Sequence, residues 1–199
     1  CKAACDNTVG IIMPCASKRN FGQDAEDARI AADQYGIETR FIDLTPVREA
    51  EMRQLSALTE VTPAAAVNIA PRLRMTTLYA VAASEGRLVA GTGNRSEAYV
   101  GYFTKWGDGA HDFNPISDLT ETEIYEFLRY LDAPACIIEK APSAGLFDGQ
   151  TDEADMGLKY ADLDEYILTG HTNEKAAATI ERLHRNSRHK RDGIARFSR

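Results

Sequence analysis

VGIIMPCASKRNFGQDAEDARIAADQYGIETRFIDL, Val9 to Leu44, decides how the rest of the chain is read. Val9 to Met13 is a short apolar run rich in β-branched residues and stopped by Pro14, the pattern of a buried strand. Asp24 to Tyr35 places acids in a first helical turn and Gly36 just past its end, which predicts a helix. Ile37 to Leu44 alternates as a strand does and closes at Thr45-Pro46. Two strands joined through a helix lie parallel, because a crossover of that length returns the chain to the same end of the sheet.

The reading extends in both chemistry and order. A helix is predicted over Val47 to Thr62, and another opens at Pro71 and stops before Gly86. Arg87 to Gly91, RLVAG, reads as a third strand, and a helix begins near Arg95. Thr120 and Glu123 form a capping box ahead of ETEIYEFLRYL. Glu139 to Gly157 is a long polar loop, and a last helix is predicted from Asn173 to Arg188. Strand and helix alternate, so the expected architecture is α/β, a parallel sheet with helices on both faces. No internal repeat or linker divides the chain, and a single domain over 1–199 is expected. Ligands of such sheets gather beyond the carboxyl ends of the strands. Those tips are Pro14–Gly22, Asp43–Pro46 and Gly91–Glu97.

Composition narrows the function. The formal net charge of −7 over 199 residues opposes a general nucleic-acid binder. No apolar run is long enough to span a membrane, and CKAACDNT carries no signal-peptide pattern, so a cytoplasmic protein is expected. Cys1, Cys5, Cys15 and Cys136 show no metal-ligand spacing and read as reduced, mostly buried thiols. The segment from Arg182 to Arg199 is locally basic. It reads either as a solvated tail or as a surface for an anionic ligand or partner.

Gly91 to Glu97, GTGNRSE, is the sharpest local signal. Its glycines and Asn94 permit a tight turn that exposes backbone N–H groups at a helix start, an anion site. Glu97 would repel a polyphosphate there unless a divalent cation lay between them. The alternative is that Glu97 complements the helix dipole. Arg72 and Arg74 occupy a first helical turn, where cations are disfavoured unless an anion binds; Asn68 reads equally as a cap. Tyr102, Phe103 and Trp106 could stack on a heterocycle or pack in the core. Lys105 and Asp112 flank the Asp108-Gly109 turn and could read a polar ring substituent. Pro142 to Met156, with Ser143, Asp152, Glu153 and Asp155, has the length of a lid or of a plain surface excursion. No catalytic triad is visible, and no histidine is placed beside Cys15.

IIMPC, N-x3-R-x-R-M at Asn68–Met75, GTGNRSE, GYFTKWGDGAHDFNPISDL, KAPSAGLFDGQTDE at Lys140–Glu153 and the late RHKR occur in one order. Together they resemble the ammonia-dependent NAD synthetase family. That resemblance implies a Rossmann-like fold of the adenine nucleotide alpha hydrolase kind. It implies conversion of deamido-NAD, ATP and ammonia to NAD, AMP and diphosphate through an adenylylated nicotinate, with Mg2+ and a homodimer. By matching position, Thr92 and Ser143 would contact ATP and Glu97 would bind magnesium. Arg72, Lys105, Asp112, His189 and Lys190 would contact deamido-NAD. No nitrilase-like glutaminase segment fits in these residues, so ammonia is the expected nitrogen source. PSAGLFDGQTDE and YFTKWGDG argue against a GMP synthetase relative. A nucleotide-binding, dimeric remnant of the same fold is the alternative.

Two departures stand out. The family opens with a strand, an S-G-G-x-D-S phosphate loop and a helix ahead of the strand that VGIIMP matches, and these residues hold no such unit. The expectation is that the natural protein has it upstream of Cys1. Glu121 stands where many relatives have a lysine directed at phosphate, so another cation, Lys105 or Lys140, is expected to substitute or phosphate stabilisation is impaired.

Overall fold

Parallel pairing aligns Val9 with Glu38 and Ile12 with Phe41, so β1 (Val9–Ile12) and β2 (Glu38–Phe41) form the expected two-stranded start of a sheet. The structure is a computed structural model describing residues 1–147 and 149–197. The connection is α1 (Ala25–Tyr35), preceded by a π-helical turn over Asn20–Asp24. Glu26 and Asp27 sit in the first turn of α1, where the helix dipole favours acids. Gly36 ends it at φ 62°, in the left-handed region.

Beyond β2 run α2 (Thr45–Ser56), α3 (Pro63–Val67) and α4 (Ile69–Glu85). α2 stops short of the predicted Thr62, because Thr62 and Pro63 open α3: the Thr62 side chain accepts from Ala65 N. Helix α4 starts two residues before Pro71. Proline is tolerated there, since the first N–H groups of a helix have no intrahelical partner.

The third strand is a correction. Arg87 to Gly91 forms a single parallel bridge, Ala90 with Phe113, held by Gly91 N–H donating to Phe113 O at 2.7 Å and Asp112 N–H to Val89 O at 2.9 Å. The reason is a lack of neighbours. Ile42 N–H and Leu44 N–H donate to Ile12 O and Pro14 O, so those residues face β2. By the period of two, Ile11 and Met13 face the opposite edge of β1. Among the described residues no strand pairs with that edge, and β1 stays half-buried along its length.

The second half is helical: α5 (Arg95–Val100), α6 (Glu121–Tyr130), α7 (Ala135–Ile138), α8 (Asp152–Met156), α9 (Tyr160–Thr169), α10 (Glu174–Asn186) and α11 (Arg188–Arg191). α8 lies inside the predicted loop, capped by Thr151, and α9 was not foreseen. Val100, Met156, Leu158, Tyr160, Leu163, Ala176 and Ile180 form the larger core, with Leu163 and Ile180 fully buried. Burial of each such aliphatic side chain contributes roughly 1.5–3 kcal/mol. A smaller cluster of Cys15, Leu44 and Ala70 lies under the ends of β1 and β2.

Polar links lock α5, α6 and α9 together. Ser96 Oγ donates to Asp164, whose other oxygen accepts from Thr122 N–H at 2.7 Å and Thr122 Oγ1 at 2.6 Å. Ser96 and Asp164 are buried, so each group must be paired. All four cysteines are free; Cys15 is buried but Cys1 and Cys5 are exposed, contrary to the expectation of mostly buried thiols. They lie on a short turn at the chain start, outside both cores. Among the described residues no helix is long and apolar enough to cross a membrane.

Candidate nucleotide site

The turn after Ala90 delivers Asn94 to the N-terminus of α5, and Asn94 and Glu97 close a capping box. Asn94 Oδ1 accepts from Glu97 N–H at 2.9 Å, and Glu97 Oε2 accepts from Asn94 N–H at 2.8 Å. The helix-end reading of Glu97 is therefore physically realised, yet it uses one carboxylate oxygen and leaves the other for a ligand. Burial raises Glu97 to about 8, and the neighbouring charges of Glu121, Asp152 and Asp108 push the same way against the Asn94 hydrogen bond. Every charge named around it is negative, which favours a cation beside it.

Glu97 faces a cavity of about 650 Å³ between β1, α4 and the 89–92 turn. Thr92, Ser143 and Lys190 line the same cavity. Three separate stretches of sequence thus bring four of the eight expected site residues to one cavity. Lys190 also borders a second cavity of about 190 Å³ that holds Lys105.

The others form a cluster beside it. Arg72 donates through Nε and Nη2 to Lys105 O at 3.4 and 3.3 Å, and Lys105 Nζ donates to His189 O at 2.5 Å. Lys190 Nζ donates to Gly101 O and Phe103 O at 2.7 and 2.5 Å; desolvation lowers its pKa, opposed by Asp108. This contact depends on Gly101, which holds φ 72° and comes so close to Ser187 that a Cβ would lie 2.1 Å from the Ser187 Cβ. Asp112 is turned to other work: its carboxylate accepts from Val89 N–H at 2.7 Å and from the Tyr79 hydroxyl at 3.3 Å. It does not line either cavity. Of the three aromatics, Tyr102 and Phe103 line the larger cavity, whereas Trp106 is exposed and borders the smaller one.

Ser143, Leu146, Phe147, Gln150, Asp152 and Asp155 of the Pro142–Met156 segment line the larger cavity; Asp148 lies outside the described residues. Gln150, a residue the sequence did not single out, pins it. Its carbonyl accepts from Ser143 Oγ at 2.8 Å, its side-chain oxygen from Leu146 N–H at 2.8 Å, and its amide donates to Asp155 at 2.6 Å. Asp155 also accepts from the Tyr102 hydroxyl at 2.9 Å. An uncharged residue in a polar loop carries no sequence signal; its burial at 4% does.

Neither proposed substitute for the absent lysine lies beside Glu121. Lys140 is held by Asp24 at 2.6 Å and Asp27 at 2.7 Å, and Lys105 by His189 O. Glu121 instead accepts from Asn94 Nδ2 at 2.6 Å. Burial, with Asp164 and Asp152 adding to it, raises the Glu121 carboxyl to about 7.

A parallel α/β chain with a glycine turn, a helix start and a lined cavity beyond its strands defines a nucleotide-binding protein of the Rossmann-like class. The family model described as NAD synthase matches residues 1–193. The chain belongs to that family. It is 48% identical over 192 residues to the NH(3)-dependent NAD(+) synthetase of Carboxydothermus hydrogenoformans, covering 96% of this chain and 78% of that one. The Pyrococcus furiosus protein of the same name is 39% identical, at 94% and 76% coverage. Among solved structures, NMN synthetase from Francisella tularensis superposes with a TM-score of 0.90 at 38% identity, covering 95% of this chain and 78% of that chain. NH3-dependent NAD synthetase from Campylobacter jejuni, in complex with the nitrate ion, gives 0.76 at 29% identity, covering 100% and 82%.

Proposed function

We propose that the chain is an ATP-dependent amide ligase that makes NAD from deamido-NAD and ammonia. The observation that carries this reading is the convergence of Thr92, Glu97, Ser143 and Lys190 on one cavity in a chain of the NAD synthase family. A carboxylate is a poor electrophile. Attack by one nicotinate carboxylate oxygen on the α-phosphorus of ATP releases diphosphate and gives an acyl adenylate. Ammonia then attacks the carboxyl carbon, a proton is lost, and AMP departs with that oxygen. Positioning and charge neutralisation supply the catalysis.

Thr92 and Ser143 are the proposed ATP contacts, Ser143 after giving up Gln150 O. Arg72, Lys105, Asp112, His189 and Lys190 are the proposed contacts to deamido-NAD. Asp112 would have to release Val89 or Tyr79 to serve. Magnesium fits the site in a limited way: Glu97 offers one uncommitted carboxylate oxygen amid acidic neighbours, and no group of three or more potential ligands occurs among the described residues. One carboxylate with substrate phosphates is a normal magnesium environment. When bound, the ion neutralises polyphosphate charge.

The reading includes a homodimer in the cytoplasm. Exposed Ile194 and Phe197, beyond the basic α11, support a protein partner at that end. Sedimentation of the chain should give a dimer; a monomer at micromolar concentration opposes this part.

A second reading takes nicotinate mononucleotide as acceptor, supported by the higher TM-score with the NMN synthetase structure. The test supplies ATP, ammonium and each acceptor separately. The proposal expects the larger kcat/KM with deamido-NAD; a larger value with the mononucleotide favours the second reading, and no amide with either removes both.

A further inference from the structure

One cation in the larger cavity has no assigned task. Arg74, on α4, is half-buried and lines the cavity. Its Nε donates to Met13 O at 3.1 Å and its Nη2 to Asn20 Oδ1 at 2.9 Å. Both acceptors are neutral, and no carboxylate among the described residues lies within ion-pair distance of it. A guanidinium carries five donors, and Nη1 has none of these contacts. Desolvation lowers its pKa, so the fold disfavours this charge.

The surroundings do not compensate it. Asp24 and Asp27 are already shared by Lys140, and Asp24 also by Arg19 at 3.2 Å, while Asp108, which lines the same cavity, acts on Arg74 only from beyond ion-pair distance. Glu97, Asp108, Asp152 and Asp155 line the same cavity, and none of them pairs with Arg74. Arg74 sits just beyond the carboxyl terminus of β1, its Nε on Met13 O, where α/β sheets receive nucleotides. A desolvated charge is tolerated when a ligand completes it, and a planar fork suits phosphoryl oxygens.

We propose that the Arg74 guanidinium binds a phosphoryl oxygen of a nucleotide in this cavity, its partner being the ATP phosphate chain. This rests on the synthetase reading. Met13 and Asn20 hold the fork in place, and Asn20 Nδ2, donating to Gly145 O at 3.0 Å, ties it to the segment carrying Ser143.

Calorimetric titration of wild type, Arg74→Gln and Arg74→Lys tests this, using AMP-PNP, adenosine and deamido-NAD as separate probes. Arg74→Gln should weaken AMP-PNP about tenfold or more and leave adenosine within about twofold, with Arg74→Lys intermediate. Weakening confined to deamido-NAD overturns the assignment to the ATP phosphate chain. Equal losses for adenosine and AMP-PNP make Arg74 a shaper of the pocket and overturn the inference, as does unchanged AMP-PNP affinity. If neither variant folds, the role is structural and the inference falls. Absence of AMP-PNP binding to wild type overturns the synthetase reading with it.

Discussion

Glu97 shows how one side chain can serve stability and chemistry together, and substitution separates the two. Glutamine can keep the reciprocal cap but not the charge. Glu97→Gln should retain the wild-type unfolding temperature to within a few degrees while weakening magnesium-dependent turnover by about tenfold or more. Glu97→Ala should in addition lose about 1 kcal/mol of stability with the cap. Equal turnover in wild type and Glu97→Gln across a magnesium titration would leave only the helix-end role. Glu121 gives a pH signature. Its folded carboxyl is raised to about 7, above the ordinary glutamate value. The stability this group permits is thus complete below about pH 4.3 and is lost as pH rises towards 7, because only the unfolded chain ionises freely. Glu121→Gln should therefore match wild type in chemical denaturation near pH 4.5 and exceed it at pH 8. A constant difference across that range would contradict the assignment. The residue identities were legible at this scale, but their partners were not: Asp112 turning to Val89 N–H and Lys140 pairing with two aspartates depend on approaches between segments far apart in sequence.

At the scale of elements, local rules located most of the helices and strands. Gly36 and Gly86 end helices as predicted, and the Thr120–Glu123 box opens α6. α9 escaped notice because LKYADLDEYILTG starts without a side-chain cap and has acids interleaved with its apolar residues. Arg87 to Gly91 has strand chemistry but remains a single bridge, since a strand is a property of its neighbours as much as of its sequence. The α5–α6–α9 junction carries the main stability load of the helical half. Leu163→Ala, at a fully buried position, should cost about 2–5 kcal/mol in urea denaturation. Asp164→Ala should cost at least about 1–3 kcal/mol by stranding Ser96, Thr122 N–H and the Thr122 hydroxyl. Losses below about 0.5 kcal/mol for both would show that α9 packs more loosely than described.

Across the whole molecule, the acidic net charge and the basic end assign opposite signs to different surfaces, and the larger cavity gathers both signs, Arg74 and Lys190 with Glu97, Asp108, Asp152 and Asp155. Its walls come from β1, α4, the 89–92 turn and the Pro142–Met156 segment, which makes the site a product of the chain's folding and not of any single motif. The order of motifs made the family legible from sequence. Which charges the cavity gathers was not, because they come from segments far apart in sequence. In the proposed reaction this cavity activates a carboxylate by joining it to AMP. Deamido-NAD labelled with 18O in its nicotinate carboxylate tests that most directly, with ATP, ammonium and the protein, by mass spectrometry of the AMP formed. The account predicts one 18O in each AMP produced alongside NAD; NAD formed with unlabelled AMP, or no NAD above a protein-free blank, would contradict it.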